Sequence, residues 1–228
     1  MIRIKKEFII EKFKLYPLTY TLMILNILIF IVPQIFTVWF EPIYQEGALN
    51  GYWVVIEGQI YRLLTSIFLH ADAMHIVMNM LSIYMVGTMV ERLFSKVSYL
   101  SIYFISAFFG SFASIYMHLG GWAVGASGAI FGLFGALAGF AWVHKETHKE
   151  EFMHFMRQFG VILLINLVLG FVIPDIDVSA HVGGLVTGII GGMILAKSQK
   201  YLFIYVLGSL FILSIIYEQL PALYAHML

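Results

Sequence analysis

Long apolar runs parted by short polar breaks set the rhythm of the chain. Seven runs approach the roughly 20 residues that a helix needs to cross a bilayer core. They are Leu18–Phe40, His70–Val90, Val97–His118, Trp122–Val143, Phe155–Ile173, Ser179–Ala196 and Tyr201–Leu220. The breaks read "EPIYQEG", "ERLFSK", "LGG", "HKETHKEE", "PDID" and "KSQK". This pattern predicts an all-α polytopic membrane protein, a compact bundle of six transmembrane helices with a seventh at the C-terminal end. It divides into a basic leader (residues 1–16), a six-helix core (17–196) and the additional helix (197–228). The first run is too long for a signal-peptide core and lacks a cleavage site, so it reads as a retained anchor.

Composition sharpens this. With 61% hydrophobic and 11% charged residues, the chain lies far from the soluble average of about 25% charged. The formal net charge of zero gives no electrostatic pull toward nucleic acid. The absence of cysteine excludes disulfides, thiolate nucleophiles and cysteine metal sites.

Charge also orients the bundle. Of the 13 Lys and Arg residues, all but Arg62 fall on one side of a seven-span arrangement: in the leader, after the second and sixth runs, and between the fourth and fifth. The positive-inside rule makes that side cytoplasmic, with the N-terminus inside and the C-terminus outside. The leader, mixing basic and apolar residues, is expected to lie on anionic lipid. Compact size and the lack of targeting segments favour a bacterial plasma membrane.

With that topology, four polar side chains share one layer of the outer leaflet. His75 and Asn79 lie early in the second run, Ser127 at the start of the fourth and His181 at the start of the sixth. At about 1.5 Å per residue each sits ~5–15 Å below the outer surface. Polar groups at such depth are costly and usually face an interior or a wet cavity. Gly128 and Gly132, and Gly184 and Gly188, form G-x-x-x-G pairs that let transmembrane backbones approach closely. Packing of those faces would bring His181 to Ser127.

A hydroxyl needs a base to become a nucleophile, and a neutral imidazole is the usual one. Ser127 opens a helix, where backbone N–H groups and the positive dipole end favour a developing oxyanion. His75 and Asn79, one turn apart, could donate to it. No aspartate lies at this depth, so the candidate catalytic unit is a Ser127–His181 dyad.

These residues resemble the rhomboid intramembrane serine proteases. The likeness rests on "GASG" around Ser127, "AHVGG" from Ala180 to Gly184, His75-x-x-x-Asn79, Gly87-x-x-x-Glu91, and Tyr61-Arg62 in the outer loop where the family has Trp-Arg. It covers roughly residues 18–196; the seventh run looks like the extra C-terminal helix that some members carry. The resemblance implies cleavage of single-span membrane proteins without a cofactor. It also implies catalysis by Ser127 and His181, with His75, Asn79 and the Ser127 N–H around the oxyanion. Gly125, Gly128, Gly184 and Gly188 would pack the site. Phe131 stands where the family often has a tyrosine on the histidine ring.

Asn26 and Asn166 read as helix–helix hydrogen bonders, and Glu91 with Arg92 as an anchor or ion pair at the cytoplasmic end. His144 and His148 stand at i, i+4, but lysines interleave them and a solvated loop is favoured over a metal site. His70 is read as supporting the preceding loop. A small-solute transporter and a catalytically inactive rhomboid-like binder are the alternative functions. No H-E-x-x-H is present, and Asp72, Asp175 and Asp177 fall at outer ends or loops.

Overall fold

Proline at the first helical position presets the backbone for helix α1 (Pro17–Ile35), because its missing N–H would have no partner there anyway. The structure, a computed structural model, describes residues 11, 13–36, 38, 40–147, 149–150 and 176–225, with isolated positions between 153 and 168. A long connection follows α1. It contains α2 (Phe40–Gly47), strand β1 (Leu49–Asn50), α3 (Gly51–Val55) and α4 (Arg62–Thr65). Then come α5 (Ala73–Leu93), α6 (Lys96–Met117), strand β2 (Trp122–Ala123), α7 (Ser127–Val143), α8 (Val178–Lys197) and α9 (Leu202–Tyr224). Among the described residues, five helical stretches are long and apolar enough to span a membrane, those of α1, α5, α6, α8 and α9, and α7 is a shorter apolar helix. The chain is an all-α polytopic integral membrane protein.

α7 is apolar on every side and buried along nearly its whole length, from Gly128 to Gly139. A helix without a polar face belongs in the middle of a bundle; α5, α6 and α8 pack around it. Its seam with α8 is built from backbone rather than side chains. A Cβ added at Gly184 would lie 2.0 Å from the Gly128 carbonyl oxygen, and one at Gly188 would lie 2.0 Å from that of Gly132. The seam continues through Gly192 against Ala136 and Gly139 against Ile189, further than the two glycine pairs alone predict. Without a hydrophobic force between helices in lipid, such close backbone packing supplies the attraction.

Two expectations are corrected here. The fourth run begins as a helix at Ser127, not Trp122, because Trp122 and Ala123 pair antiparallel with Asn50 and Leu49. Glu91 does not serve as an ion-pair anchor with Arg92. Its carboxylate accepts the Leu18 N–H at 2.9 Å, the Thr19 N–H at 2.8 Å and the Thr19 hydroxyl at 2.7 Å, capping the start of α1. Asn26 donates to the Leu22 carbonyl of its own helix at 2.7 Å, and its side chain also faces the Tyr103 hydroxyl of α6, in keeping with a contact between two helices. Asn166, His148 and most of the fifth run lie outside the described residues.

α5 is not uniform. Residues Ile83–Gly87 form a π-helical turn between two α-helical halves. The upstream half carries His75 and Asn79; the downstream half carries Glu91.

Candidate active site

Ser127 is the first residue of α7, and the capping position before it is Ala126, whose side chain makes no capping hydrogen bond. The first-turn N–H groups of α7 are thus free of any side-chain cap from that position. A helix terminus of this kind favours an anion. Ser127 itself is half-buried.

Gly125, two residues upstream, is glycine for two separate reasons. Its φ is +126°, a conformation that residues with a Cβ rarely adopt. A Cβ there would also lie 2.7 Å from His75 Nε2 and 3.8 Å from Asn79 Nδ2. Both α5 side chains therefore meet the chain just before Ser127. Asp72 fixes the start of α5 by accepting the His75 N–H at 2.9 Å. The Gly125 N–H is tied to the Ser66 carbonyl at 2.9 Å.

His181 lies in the first turn of α8 and is only 7% exposed. Its ring stacks on Phe131, one turn below Ser127 on α7, with centroids 4.1 Å apart and planes 8° from parallel. The glycine seam makes this possible by letting α8 slide against α7 at Gly128. His181 Nδ1 makes no hydrogen bond among the described residues. Asp177 is nearby but otherwise engaged: its carboxylate accepts the Ala180 N–H at 3.0 Å and the Ser179 hydroxyl, and lies 3.6 Å from His118. Among the described residues, no carboxylate accepts a hydrogen bond from that Nδ1.

Beside Ser127 is a cavity of about 40 Å³, lined by small residues that include Ser66, Ser111, Ser114 and Gly125, with Leu49 at its wall. The serines of α6 carried no sequence signal of their own. Asp177 did, as an Asp directly ahead of α8, the usual form of an N-cap.

Tyr61 and Arg62 are not part of this cluster. Arg62 is 2% exposed and donates to the carbonyls of Gln45 (2.7 Å) and Ala48 (2.9 Å) and to the Gln59 side chain (2.7 Å). The rings of Trp53, Tyr61 and Trp122 surround its guanidinium at 5.6–5.8 Å. It holds the α1–α5 connection together, and Tyr61 remains exposed at its edge. His70 supports the same connection through its carbonyl, which accepts the Tyr44 hydroxyl. Among the described residues, no group of three or more His, Asp or Glu side chains could hold a metal ion.

The Rhomboid domain model matches residues 57–198. RHOMBOID-like protein 1 of Arabidopsis thaliana is 36% identical over 155 residues, covering 68% of this chain and 39% of the relative. RHOMBOID-like protein 6, mitochondrial, of the same plant is 38% identical over 154 residues, 68% of this chain and 50% of its own length. Rhomboid protease GluP of Bacillus subtilis is 39% identical over 139 residues, 59% of this chain and 26% of its own. The chain spans half the length of these relatives or less. With its fold and its Ser127–His181 end in view, the chain belongs to the rhomboid family.

Proposed function

We propose that this protein is an intramembrane serine endopeptidase that cuts single-span membrane proteins in or beside their transmembrane helix. One observation carries the reading. Three helices meet around the N-terminal end of α7: α7 itself offers an uncapped N-terminus at Ser127, α8 brings His181 onto Phe131, and α5 brings His75 and Asn79 against Gly125.

In this mechanism a substrate helix enters from lipid and partly unwinds. Unwinding is expensive where no water replaces the lost backbone hydrogen bonds, so helix-weakening residues mark the preferred sites. His181 takes the Ser127 proton as the hydroxyl attacks the scissile carbonyl. The oxyanion is held by the Ser127 N–H, His75 and Asn79. His181 then protonates the departing amine, and water hydrolyses the acyl-enzyme. The small cavity beside Ser127, partly lined by serines, is roomy enough for water.

On this reading the site lies near the outer face, with the N-terminus cytoplasmic and the C-terminus outside, which the sequence supports by gathering 12 of its 13 Lys and Arg residues on the other side. Residues 17–196 form the catalytic core, and a bacterial plasma membrane suits the reading. Purified protein in detergent should cut a model transmembrane substrate, and Ser127→Ala should not. A fluorophosphonate should label the wild type and not His181→Ala. Cleavage that persists in Ser127→Ala ends the serine mechanism.

A further inference from the structure

α9 lies outside the glycine seam, yet it reaches the wall of the cavity beside Ser127. Tyr224, at its end, is fully buried, and its hydroxyl donates to the Ile115 carbonyl of α6 at 2.6 Å. The same ring fills the notch over Gly51: a Cβ there would sit 1.6 Å from the Tyr224 oxygen and 2.4 Å from Cζ. About two turns earlier, the Tyr217 hydroxyl donates to the Val54 carbonyl of α3 at 3.4 Å, and its ring meets Phe112 edge-on. Leu213, Leu220 and Tyr224 close a separate apolar cluster with Leu49, Val54 and Ile115.

Gly51 directly follows β1. Asn50 locks that junction, its Oδ1 accepting the Tyr52 N–H at 3.0 Å while its Nδ2 donates to the Gly121 carbonyl at 3.1 Å. β1 pairs with β2, Leu49 opposite Ala123, and β2 runs straight into Gly125 and Ser127. Leu49 and Ala123 both line the cavity at Ser127. A two-stranded ladder of two residues per strand has little stability of its own. Something must hold β1 in place.

We infer that α9 is the positioning element for this site: Tyr224, seated on Gly51, fixes β1 and through it the β2 segment that delivers Ser127. Tyr224 is a positioning residue, not a catalytic one, and the inference rests on Ser127 being the nucleophile. A transmembrane helix appended to a core would otherwise need only lipid-facing apolar residues; a buried tyrosine matched to a glycine on a connecting loop is a specific joint.

The experiment measures kcat/KM on a transmembrane substrate and the fluorophosphonate labelling rate for full-length wild type, Tyr224→Phe, Tyr224→Ala, Gly51→Ala and Gly51→Ala/Tyr224→Ala. All are assayed well below their thermal midpoints. Tyr224→Ala and Gly51→Ala should each lower kcat/KM about tenfold, the cost of a small misplacement at a reacting centre. Tyr224→Phe, which keeps the ring over Gly51, should stay near wild type. The double variant should be no worse than either single one, because the added methyl occupies space the ring has left. Wild-type kcat/KM in both single variants, with or without a lower thermal midpoint, overturns the inference, as do losses that multiply in the double variant. Should Tyr224→Ala not fold, Gly51→Ala against Tyr224→Phe decides by the same criterion. An inactive wild type, or an active Ser127→Ala, instead sinks the serine reading itself.

Discussion

Phe131 and His181 lie face to face, their rings 4.1 Å apart and 8° from parallel, on helices joined by a glycine seam. The stack fixes the plane of an imidazole that has no partner on Nδ1. Orientation of the proposed base therefore depends on packing rather than on a carboxylate. Phe131→Ala should lower kcat about tenfold or more by freeing the ring, whereas Phe131→Tyr should keep activity. Steady-state kinetics on both variants checks this, and equal activity in Phe131→Ala and wild type would count against the packing role.

Gly125→Ala tests the meeting of α5 with the segment before Ser127. The substitution strains a backbone at φ +126° and drives a methyl to 2.7 Å from His75 Nε2. The strain is worth about 1–3 kcal/mol, while activity should fall by about two orders of magnitude as His75 is pushed off. Thermal unfolding and kcat, measured together, separate the two effects.

Gly188→Ala probes the seam far from the proposed chemistry. A Cβ at that position would lie 2.0 Å from the Gly132 carbonyl oxygen, and backbone cannot swing aside as a side-chain tip can. Overpacking of this kind costs about 1–3 kcal/mol. A drop in the thermal midpoint is expected; an unchanged midpoint would show that α7 and α8 part easily.

Acid should loosen the α1–α5 connection through His70. Burial, then the neighbouring His75 ring 5.1 Å away, lowers its pKa from 6.5 to about 4. The folded state thus disfavours the proton that the unfolded chain accepts. Stability from this residue is complete above pH 6.5 and is lost as pH falls toward 4. The loss is on the order of 3 kcal/mol. Thermal midpoints across that window, compared between wild type and His70→Gln, measure the contribution; parallel profiles would remove His70 as the cause.

Local spacing made part of this legible. Small residues at i, i+4 on the fourth and sixth runs marked the faces that pack, because helical periodicity is a property of neighbours in sequence. The positions of His181, His75 and Asn79 early in their helices, and of Ser127 at the start of α7, followed from run boundaries alone. What stayed hidden depends on partners far along the chain. Trp122 and Ala123 look like the start of a greasy helix, and only Leu49 and Asn50 turn them into a strand. Glu91 invited a salt bridge with its neighbour, but its donors are the N–H groups opening α1. Gly51 gave no hint of Tyr224, since a notch has no meaning until its ring arrives.

The π turn at Ile83–Gly87 makes α5 a shaft with two keyways cut at different angles. The surplus residue offsets one half against the other, so Asn79 faces the chain before Ser127 while Glu91 faces the start of α1. Deleting a single residue there would restore even winding and rotate one half by about 100° against the other. Either the first span would lose its cap or Ser127 would lose its neighbours. The phase of that one turn is what lets a single rod serve two sides of the bundle at once.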